Sequence, residues 1–405
     1  MTIKKKIEEL AIFGGERMFT APKPTSNLIR PDFDAFLDYS KLFVEHNQYS
    51  DDGPLVKLLE QRLADFHKTS YCNVFCSGFW SLALAIKVLA LPGKREIVLP
   101  SFTYRRMADI VAWTRLIPHF CDVDQDTLAI SAATVKPCIT VNTALILCVH
   151  PIVNTCDIDG LVDLAKEKNI PLLFDSVESV YETHAGRKIG CFGSAEIFSL
   201  GASKLVNGFE GGYLTTNDAQ LAHKLTLMRN FGLDDHGFVR VTDGLNARLN
   251  EIHAAMALAG LDDLEDQIAR NRQRYLTYQR LLAPLKGIRL HEFDESHHPG
   301  YKNILIEILD DWPLSRDDTV SILNAEMILA RAYYTPPLHR KRMAYPHVPA
   351  ELPVTDRLAE RFILLPCGHH ISIEDIHDIV GLIKLISSHA PDISMALQQK
   401  VEQSA

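Results

Sequence analysis

Residues 195–212 read AEIFSLGASKLVNGFEGG: an apolar run followed by hydroxyl groups, a lysine and four glycines. The apolar part, Ala195 to Ser199, is typical of a short buried strand, which places Lys204 just beyond a strand end. A lysine amine that has lost its proton can attack an aldehyde. The Ser199 hydroxyl is suited to bind a phosphate, and glycines let the backbone approach a ligand closely. The same pattern also fits a surface lysine after a glycine-rich turn.

The chain around this stretch alternates between helical periodicity and short apolar runs from about residue 55 to 215. Buried strands are predicted at 96–100, 144–150, 171–175 and 195–199, and helices at 55–66, 79–89, 105–113 and 158–168. Strands that are apolar throughout and separated by helices indicate a mainly parallel sheet covered on both faces. The predicted fold class is therefore α/β.

A second, smaller α/β domain is predicted at residues 275–390. One or two long helices are expected at 249–280, a strand at 302–309, and helices at 313–324 and 371–386 that begin at Ser315 and Ser372. The large domain then covers residues 55–274 and follows an N-terminal arm, 1–54. Residues 391–405 form a tail that we expect to fray.

Polar residues follow several of the predicted strands. Because ligands of parallel α/β sheets bind beyond the carboxyl ends of the strands, we expect these residues to meet at one edge. They are Thr103, Tyr104, His150, Asp175 and the segment 199–204.

Three positions in or near this set match the needs of pyridoxal phosphate (PLP). A buried carboxylate such as Asp175 can keep the pyridine nitrogen protonated. Ser77 and Gly78 precede a helix whose N-terminus is suited to bind the phosphate, and Tyr104 can stack on the ring. Each has an ordinary alternative: a turn or capping aspartate, a helix cap, and a core aromatic residue.

Taken together and in order, these motifs resemble the DegT family of sugar aminotransferases, PLP enzymes of aspartate-aminotransferase fold. The resemblance covers nearly the whole chain, from Gly14 to Ile386. Its landmarks are Gly53-Pro54, Ser77-Gly78, Pro100 to Tyr104, Asp122 to Asp124, Val149-His150, Phe174-Asp175, Phe198-Ser199 with Lys204, Glu210 to Gly212, Arg229 to Gly232, Leu245 to Arg248, and Arg331 to Tyr334 with Pro337 to His339.

The resemblance implies fold type I, with a mainly parallel sheet of the seven-stranded type, and a role for each matching residue. Lys204 matches the lysine that carries PLP as a Schiff base and shuttles a proton, and Asp175 matches the partner of the pyridine nitrogen. Ser199 and Gly78 match phosphate-binding positions, and Tyr104 matches the ring-stacking aromatic residue.

The resemblance also implies a homodimer with shared active sites. Asn246 matches an asparagine that reaches the phosphate of the neighbouring subunit's cofactor, and Arg248 lies in the same motif. Tyr334 and His339 fall where family members line the sugar-binding cleft. The implied reaction moves an amino group from an amino acid, typically L-glutamate, to a keto-sugar.

The sequence departs from the family pattern at several positions. Glu178 stands where a glutamine usually contacts the 3-oxygen of PLP, and Phe79 replaces a threonine of the phosphate site. Val153 replaces a turn glycine. Arg105 and Arg106 replace small apolar residues, which suits either a substrate carboxylate or phosphate, or surface ion pairs. Residues 14–17 resemble members that aminate cyclitols, which adds keto-cyclitols to the expected acceptors.

Composition narrows the class of protein. The 405 residues carry a net charge of −9, which argues against a nucleic-acid partner. Eight scattered cysteines show no paired zinc spacing, and we expect no metal site and reduced thiols. The first residues lack the apolar region of a signal peptide, and no apolar run is long enough for a membrane span. We therefore expect a cytoplasmic enzyme with small-molecule substrates and no membrane partner.

Two other functions fit the same residues. One is a different PLP reaction on this scaffold, elimination or decarboxylation, which the Glu178 and Phe79 departures suggest. The other is a non-catalytic regulator that binds PLP or a sugar. The presence of both Lys204 and Asp175 favours an aminotransferase.

Overall fold

The computed structural model describes residues 4–25, 32–50 and 52–404. Within these ranges, helices flank two β-sheets of seven and four strands, and two pairs of two-residue strands form small sheets of their own. Parts of the predicted N-terminal arm (1–3, 26–31 and 51) and residue 405 of the predicted tail lie outside the described residues.

The strands are β1 Lys23–Pro24, β2 Tyr71–Phe75, β3 Glu96–Pro100, β4 Ile117–Cys121, β5 Thr143–Val149, β6 Leu172–Asp175, β7 Thr183–His184, β8 Arg187–Lys188, β9 Ala195–Ser199, β10 Gly212–Thr216, β11 Ile288–Leu290, β12 Ile304–Ile308, β13 Ile328–Leu329, β14 Arg331–Tyr333 and β15 Phe362–Leu365. The α-helices are α1 Phe33–Glu45, α2 Pro54–His67, α3 Gly78–Leu89, α4 Met107–Trp113, α5 Ala132–Val135, α6 Ile158–Lys168, α7 Ala219–Arg229, α8 Glu251–Asp262, α9 Leu264–Leu282, α10 Arg316–Ala325, α11 Pro353–Leu358, α12 Ile373–Ser388 and α13 Ala390–Ser404. Short 3-10 turns occur at Ile7–Glu9, Ala11–Phe13, Lys136–Cys138, Glu295–His297 and Leu338–Arg340.

The larger sheet has seven strands in the order β2-β10-β9-β6-β5-β3-β4. Strand β10 runs antiparallel to both of its neighbours, and the pairs from β9 to β4 are parallel. Its central strands are buried almost throughout, as in β5 and β6, because helices cover both faces. The predicted α/β fold class with a mainly parallel sheet is confirmed.

The smaller sheet is antiparallel, in the order β11-β12-β15-β14. Helices α9 and α10 pack against this sheet, and α12 packs against α9. The strands of the sheet lie between residues 288 and 365, within the range predicted for a second, smaller domain.

Helix N-termini follow local rules that the sequence makes visible. The side chains of Asp157, Ser315 and Ser372 each accept a hydrogen bond, at 3.0 to 3.1 Å, from the backbone N–H three residues further on. These contacts satisfy donors that the first helical turn leaves free. The predicted starts of α6, α10 and α12 are confirmed to within three residues.

Two regions differ from expectation. Strands β2, β4 and β10 were not predicted, because each contains glycine, proline or polar residues and lacks a continuous apolar run. The prediction that residues 391–405 fray was wrong for 391–404, which form α13; Ala390 and Ile393 are fully buried and hold its start. None of the helices in the described ranges is long and apolar enough to cross a membrane.

Candidate active site

A cavity of about 730 Å³ opens at the carboxyl ends of β5, β6 and β9. Its wall includes eight of the residues singled out in the sequence: Gly78, Phe79, Tyr104, Asp175, Glu178, Ser199, Lys204 and Tyr334. His150 lines it as well. The structure therefore brings together residues that are spread over about 260 positions of the chain.

Lys204 reaches the cavity from the loop between β9 and β10. The loop turns tightly, since the Lys204 amide donates to the Gly201 carbonyl at 2.9 Å. The Lys204 Nζ donates to Glu178 Oε1 at 2.7 Å. Burial by itself lowers the pKa of Lys204, but the Glu178 carboxylate outweighs it and leaves this pKa above its ordinary value. In this form the amine is protonated and held in an ion pair.

Asp175 ends β6 and lies at the bottom of the cavity with only 8% of its surface exposed. Its carboxylate accepts a hydrogen bond from the Val177 amide at 3.2 Å. Burial raises the pKa of Asp175 to about 7, although the Val177 amide and the Lys204 ammonium oppose it. A buried carboxyl group with one hydrogen bond is well placed to pair with a cationic nitrogen of a ligand.

The start of α3 forms a narrow cradle beside Ser199. Ser77 caps the helix by accepting from the Trp80 amide at 3.3 Å, and Gly78 and Phe79, the first two helical residues, line the cavity. A Cβ on Gly78 would lie 3.2 Å from Ser199 Cβ, so glycine keeps this approach open. Helix N-termini attract anions, and a phosphate fits this cradle.

Tyr104 and Tyr334 form the wall between this cavity and a neighbouring cavity of about 510 Å³. Tyr104 is 49% exposed, which leaves its ring accessible to a flat ligand. Tyr334 contacts Tyr333, with ring centroids 3.8 Å apart. Arg105 and Arg331 also line this neighbouring cavity, which we call the outer cavity.

Asn246 and Arg248 lie outside both cavities of this chain. Arg248 Nε donates to Asn246 Oδ1 at 3.1 Å, and its guanidinium lies 5.2 Å from the Phe231 ring centre. Asn246 is exposed. Their predicted roles concern a neighbouring subunit and stay predictions.

His339 does not line either cavity, although its position in the sequence suggested a place in the cleft. Its Nδ1 lies 2.7 Å from Ser101 Oγ, and its Nε2 lies 3.1 Å from Asp356 Oδ1. The side chain is almost fully buried. His339 therefore contacts Ser101, in the segment that carries Tyr104, from outside the two cavities.

Two basic segments that are far apart in sequence meet next to the active cavity. Arg105 and Arg106 line a third cavity, of about 510 Å³, together with Lys341 and Arg342. Lys341 Nζ donates to the Arg105 carbonyl at 3.1 Å. The carboxylate in this cavity, Asp109, accepts a hydrogen bond from Arg106.

Sequence analysis missed Lys302 and Asn303. Both line the outer cavity, and both donate to Glu178 Oε2, at 2.5 and 3.2 Å. They directly precede β12 in the smaller, antiparallel sheet, whereas ligand-binding residues were expected at the carboxyl ends of parallel strands. A signal was present, because a lysine and an asparagine directly before a buried strand are unusual partners for core residues.

Comparison with known proteins decides the family. Residues 34–384 match the model of the DegT/DnrJ/EryC1/StrS aminotransferase family. The chain belongs to this family. A crystal structure of DesI in the presence of its TDP-sugar product superposes on this DegT-family chain with a TM-score of 0.91 and 31% identity, covering 97% of this chain and 100% of the other.

Two curated relatives of this DegT-family aminotransferase extend the comparison. The dTDP-4-amino-4,6-dideoxy-D-glucose transaminase of Shigella dysenteriae is 26% identical over 360 residues, 88% of this chain and 96% of the relative. The L-glutamine:2-deoxy-scyllo-inosose aminotransferase of Streptomyces fradiae is 27% identical over 431 aligned positions, 96% of this chain and 100% of the relative. The family resemblance and the predicted enzyme class are confirmed.

The cofactor of this DegT-family aminotransferase is PLP, and the residues present fit it. The raised pKa of Asp175 marks a buried carboxyl group that a pyridinium nitrogen would stabilise. The Gly78 and Ser199 cradle fits the phosphate, and Lys204 is the amine in the same cavity. When bound, the cofactor supplies an electron sink for the negative charge left by removal of a Cα proton.

Proposed function

We propose that this enzyme moves an amino group from L-glutamate to the keto carbon of a keto-sugar or keto-cyclitol, in the cytoplasm and as a homodimer. The observation that carries the proposal is the presence of Lys204 and Asp175 in one cavity with the Gly78 and Ser199 cradle. The amino acid becomes a 2-oxo acid, and the keto carbon becomes an amine-bearing carbon.

Each residue has a proposed role in this reaction. Lys204 Nζ takes and returns protons during amine transfer, and Asp175 pairs with the ring nitrogen. Gly78, Phe79, Ser199 and the neighbouring subunit's copy of Asn246 surround the phosphate. The remaining proposed contacts are Tyr104 on the ring, Glu178 at the 3-oxygen, and Arg248 and Tyr334 around the acceptor. The contact predicted for His339 is not proposed again, because its buried ring faces Ser101 and Asp356.

The chain's own groups account for proton control. Lys204 Nζ lies in the cavity, 2.7 Å from the carboxylate oxygen Oε1 of Glu178, and donates a hydrogen bond to it. Amine transfer requires Lys204 Nζ to give up a proton first, since the protonated form has no lone pair. Tyr104 and Tyr334 line the cavity beside this nitrogen.

The relatives support the acceptor class. The name of the Shigella dysenteriae relative describes a dTDP-linked amino sugar, and that of the Streptomyces fradiae relative describes a cyclitol ketone with L-glutamine as donor. Both names describe amine transfer on a sugar or a sugar-like ring. L-Glutamine is therefore the donor to test beside L-glutamate.

A dimer is supported by exposed apolar side chains on both sides of Asn246. Phe231, Phe238, Val239 and Ile252 are each between 46% and 66% exposed. Clusters of this kind mark protein–protein contacts. We also propose the division into a large domain, 55–274, and a small domain, 275–390, with the smaller sheet in the second.

The experiment is an absorption spectrum of the PLP-loaded protein before and after L-glutamate or L-glutamine is added, with Lys204→Ala as control. We expect a band of lysine-bound cofactor that either donor converts to the amine form, and no such band in Lys204→Ala. Product analysis with a panel of keto-sugars, with and without nucleotides, and keto-cyclitols then identifies the acceptor.

Other results would favour the two alternatives. A Lys204-dependent band that no amino donor changes would indicate elimination or decarboxylation chemistry. Failure to bind PLP at all would reject the proposal and indicate a sugar-binding regulator. Sedimentation of the loaded enzyme tests the dimer separately.

A further inference from the structure

The Glu178 carboxylate is shared between two lysines. Its Oε1 accepts from Lys204 Nζ at 2.7 Å, and its Oε2 accepts from Lys302 Nζ at 2.5 Å and from Asn303 Nδ2 at 3.2 Å. The three charged side chains are between 9% and 22% exposed. Two ammonium groups therefore face one carboxylate in a largely buried cluster.

Glu178 is ionised because of these two lysines. Burial alone would raise its pKa, but the Lys204 and Lys302 ammonium groups hold the pKa of Glu178 well below its ordinary value. Burial in turn lowers the pKa of Lys302 to about 8, against the opposing effect of Glu178. Each charge in the cluster thus depends on its neighbours.

The two lysines differ in what they can do next. Lys204 has to lose its proton before it bonds to an aldehyde, and its ion pair with Glu178 then weakens. A buried carboxylate without a cation is unfavourable. Lys302 remains to pair with Glu178 at that point.

Lys302 and Asn303 contact Glu178 from the smaller sheet. Lys302 and Asn303 immediately precede β12 of the smaller sheet. Asn303 Nδ2 also donates to the Ile152 carbonyl at 3.1 Å. Glu178 is therefore fixed between the loops of the larger sheet and the start of β12.

We propose that Lys302 is a positioning residue that holds Glu178 ionised and in place beside Lys204. Glu178 and Lys302 act as a coupled pair, joined by the contact between Glu178 Oε2 and Lys302 Nζ. The inference rests on the PLP cofactor and is independent of the donor and acceptor in the proposed function.

The proposal predicts that the effects of substitution at the two positions are not independent. Lys302→Met leaves the Glu178 carboxylate with Lys204 alone, and Glu178→Gln leaves two ammonium groups without an anion. The double substitution places a neutral glutamine amide at position 178 beside a neutral methionine at position 302. The Lys204 nitrogen then has no charged partner at either position. The double substitution should therefore repair much of what either single change damages.

The experiment measures the PLP dissociation constant of the cofactor-free protein for the wild type, both single variants and the double variant. We expect each single change to weaken binding about tenfold, and the double variant to bind within about threefold of the wild type. Lys87→Met is the matched control, because Lys87 is a partly buried lysine in an ion pair with Asp243 and lines none of the three cavities. It should bind PLP normally.

A second measurement follows the pH at which the absorbance of the lysine-bound cofactor changes. An uncompensated carboxylate favours the protonated nitrogen. The apparent pKa should therefore rise in Lys302→Met and return towards the wild-type value in the double variant. A merely structural role of Lys302 would lower stability without this shift. Lys302→Arg keeps the cation and should retain binding if Lys302→Met does not fold.

Two results would overturn the proposal. One is a double variant whose loss equals the product of the single losses. The other is a Lys302→Met protein that binds PLP normally but has a raised KM for the amino donor, both alone and combined with Glu178→Gln. That result would make Lys302 a substrate-binding residue. Absence of amine transfer from every donor would instead reject the proposed function, and the coupling in PLP affinity would still stand.

Discussion

Gly212 in β10 lies directly against Gly78 at the start of α3: a Cβ on Gly212 would be 2.5 Å from both Gly78 Cα and Gly78 N. These are backbone atoms, so the contact cannot be relieved by rotating a side chain. The position of the phosphate cradle therefore depends on the absence of one methyl group in a neighbouring strand.

Gly212→Ala is expected to push α3 away from β10. Overpacking of this kind costs about 1–3 kcal/mol, and we expect a Tm lower by several degrees together with PLP binding weakened about tenfold. Gly381→Ala is the control, because Gly381 lies in α12 with open space around it. There, alanine should leave the Tm unchanged or raise it. A Gly212→Ala protein with normal Tm and normal PLP affinity would show that the phosphate cradle does not depend on this contact between Gly212 and Gly78.

Asp175→Asn is expected to stabilise the cofactor-free protein at alkaline pH while it slows amine transfer. The pKa of Asp175 is raised to about 7 from 3.8. The folded state therefore favours the protonated acid, and stability is lost as pH rises from about 4 through about 7. Each unit of pKa difference is worth about 1.4 kcal/mol, and asparagine avoids this loss.

The measurement is the Tm difference between Asp175→Asn and the wild type, both without cofactor, at pH 5 and at pH 8. The difference should be larger, in favour of asparagine, at pH 8. With PLP bound, the donor half-reaction should slow by at least about tenfold. An equal Tm difference at both pH values would show that folding does not raise the pKa of Asp175.

Phe79→Thr is expected to change cofactor affinity and stability in opposite directions. Phe79 makes edge contacts with Trp80 and Trp113, at ring-centroid distances of 4.9 and 5.9 Å. Threonine removes these contacts, which lowers the Tm, but adds a hydroxyl group at the cradle, which tightens PLP binding. Trp113→Leu is the control, since Trp113 belongs to the same cluster and lines none of the cavities. It should lower the Tm without changing PLP affinity.

His339→Ala is expected to raise the acceptor KM indirectly. The imidazole contacts Ser101, and the Leu338 amide donates to the Ser101 carbonyl at 3.1 Å. Loss of His339 should release the segment 101–104 and lower the Tm. Tyr334→Phe keeps the packing of the wall and removes a hydroxyl group at the cavity, so it should raise the acceptor KM at constant Tm. A His339→Ala protein with normal Tm and raised acceptor KM would place this histidine in direct contact with the acceptor.

Much of the larger sheet was predictable because its central strands are buried on both faces. The runs that became β3, β5 and β6 each contain at least three consecutive apolar residues, and β9 is apolar apart from Glu196 and Ser199. The edge rule for parallel sheets then located Tyr104, Asp175 and Lys204 on one cavity. The partners of these residues follow from topology, which the sequence pattern leaves open.

Lys302 and His339 illustrate that limit. Lys302 precedes a strand of the smaller sheet and meets Glu178, 124 positions away, only when the two sheets pack together. His339 is part of a family landmark, yet its ring contacts Ser101 and does not line the cavity. Local pattern predicts which strand a side chain follows, and tertiary packing determines which neighbour it contacts.

The place of β2 at the edge of the seven-stranded sheet has a consequence for synthesis of the chain on the ribosome. β2 bonds to the sheet through β10, about 140 residues later. At typical translation rates, roughly 10–30 seconds pass before this partner is made. During that interval the apolar faces of α2 and β2 have no sheet to cover them, and the nascent chain presents them to chaperones. β2, the strand that precedes the phosphate cradle, is thus the first strand of the seven-stranded sheet to be synthesised and among the last to join that sheet.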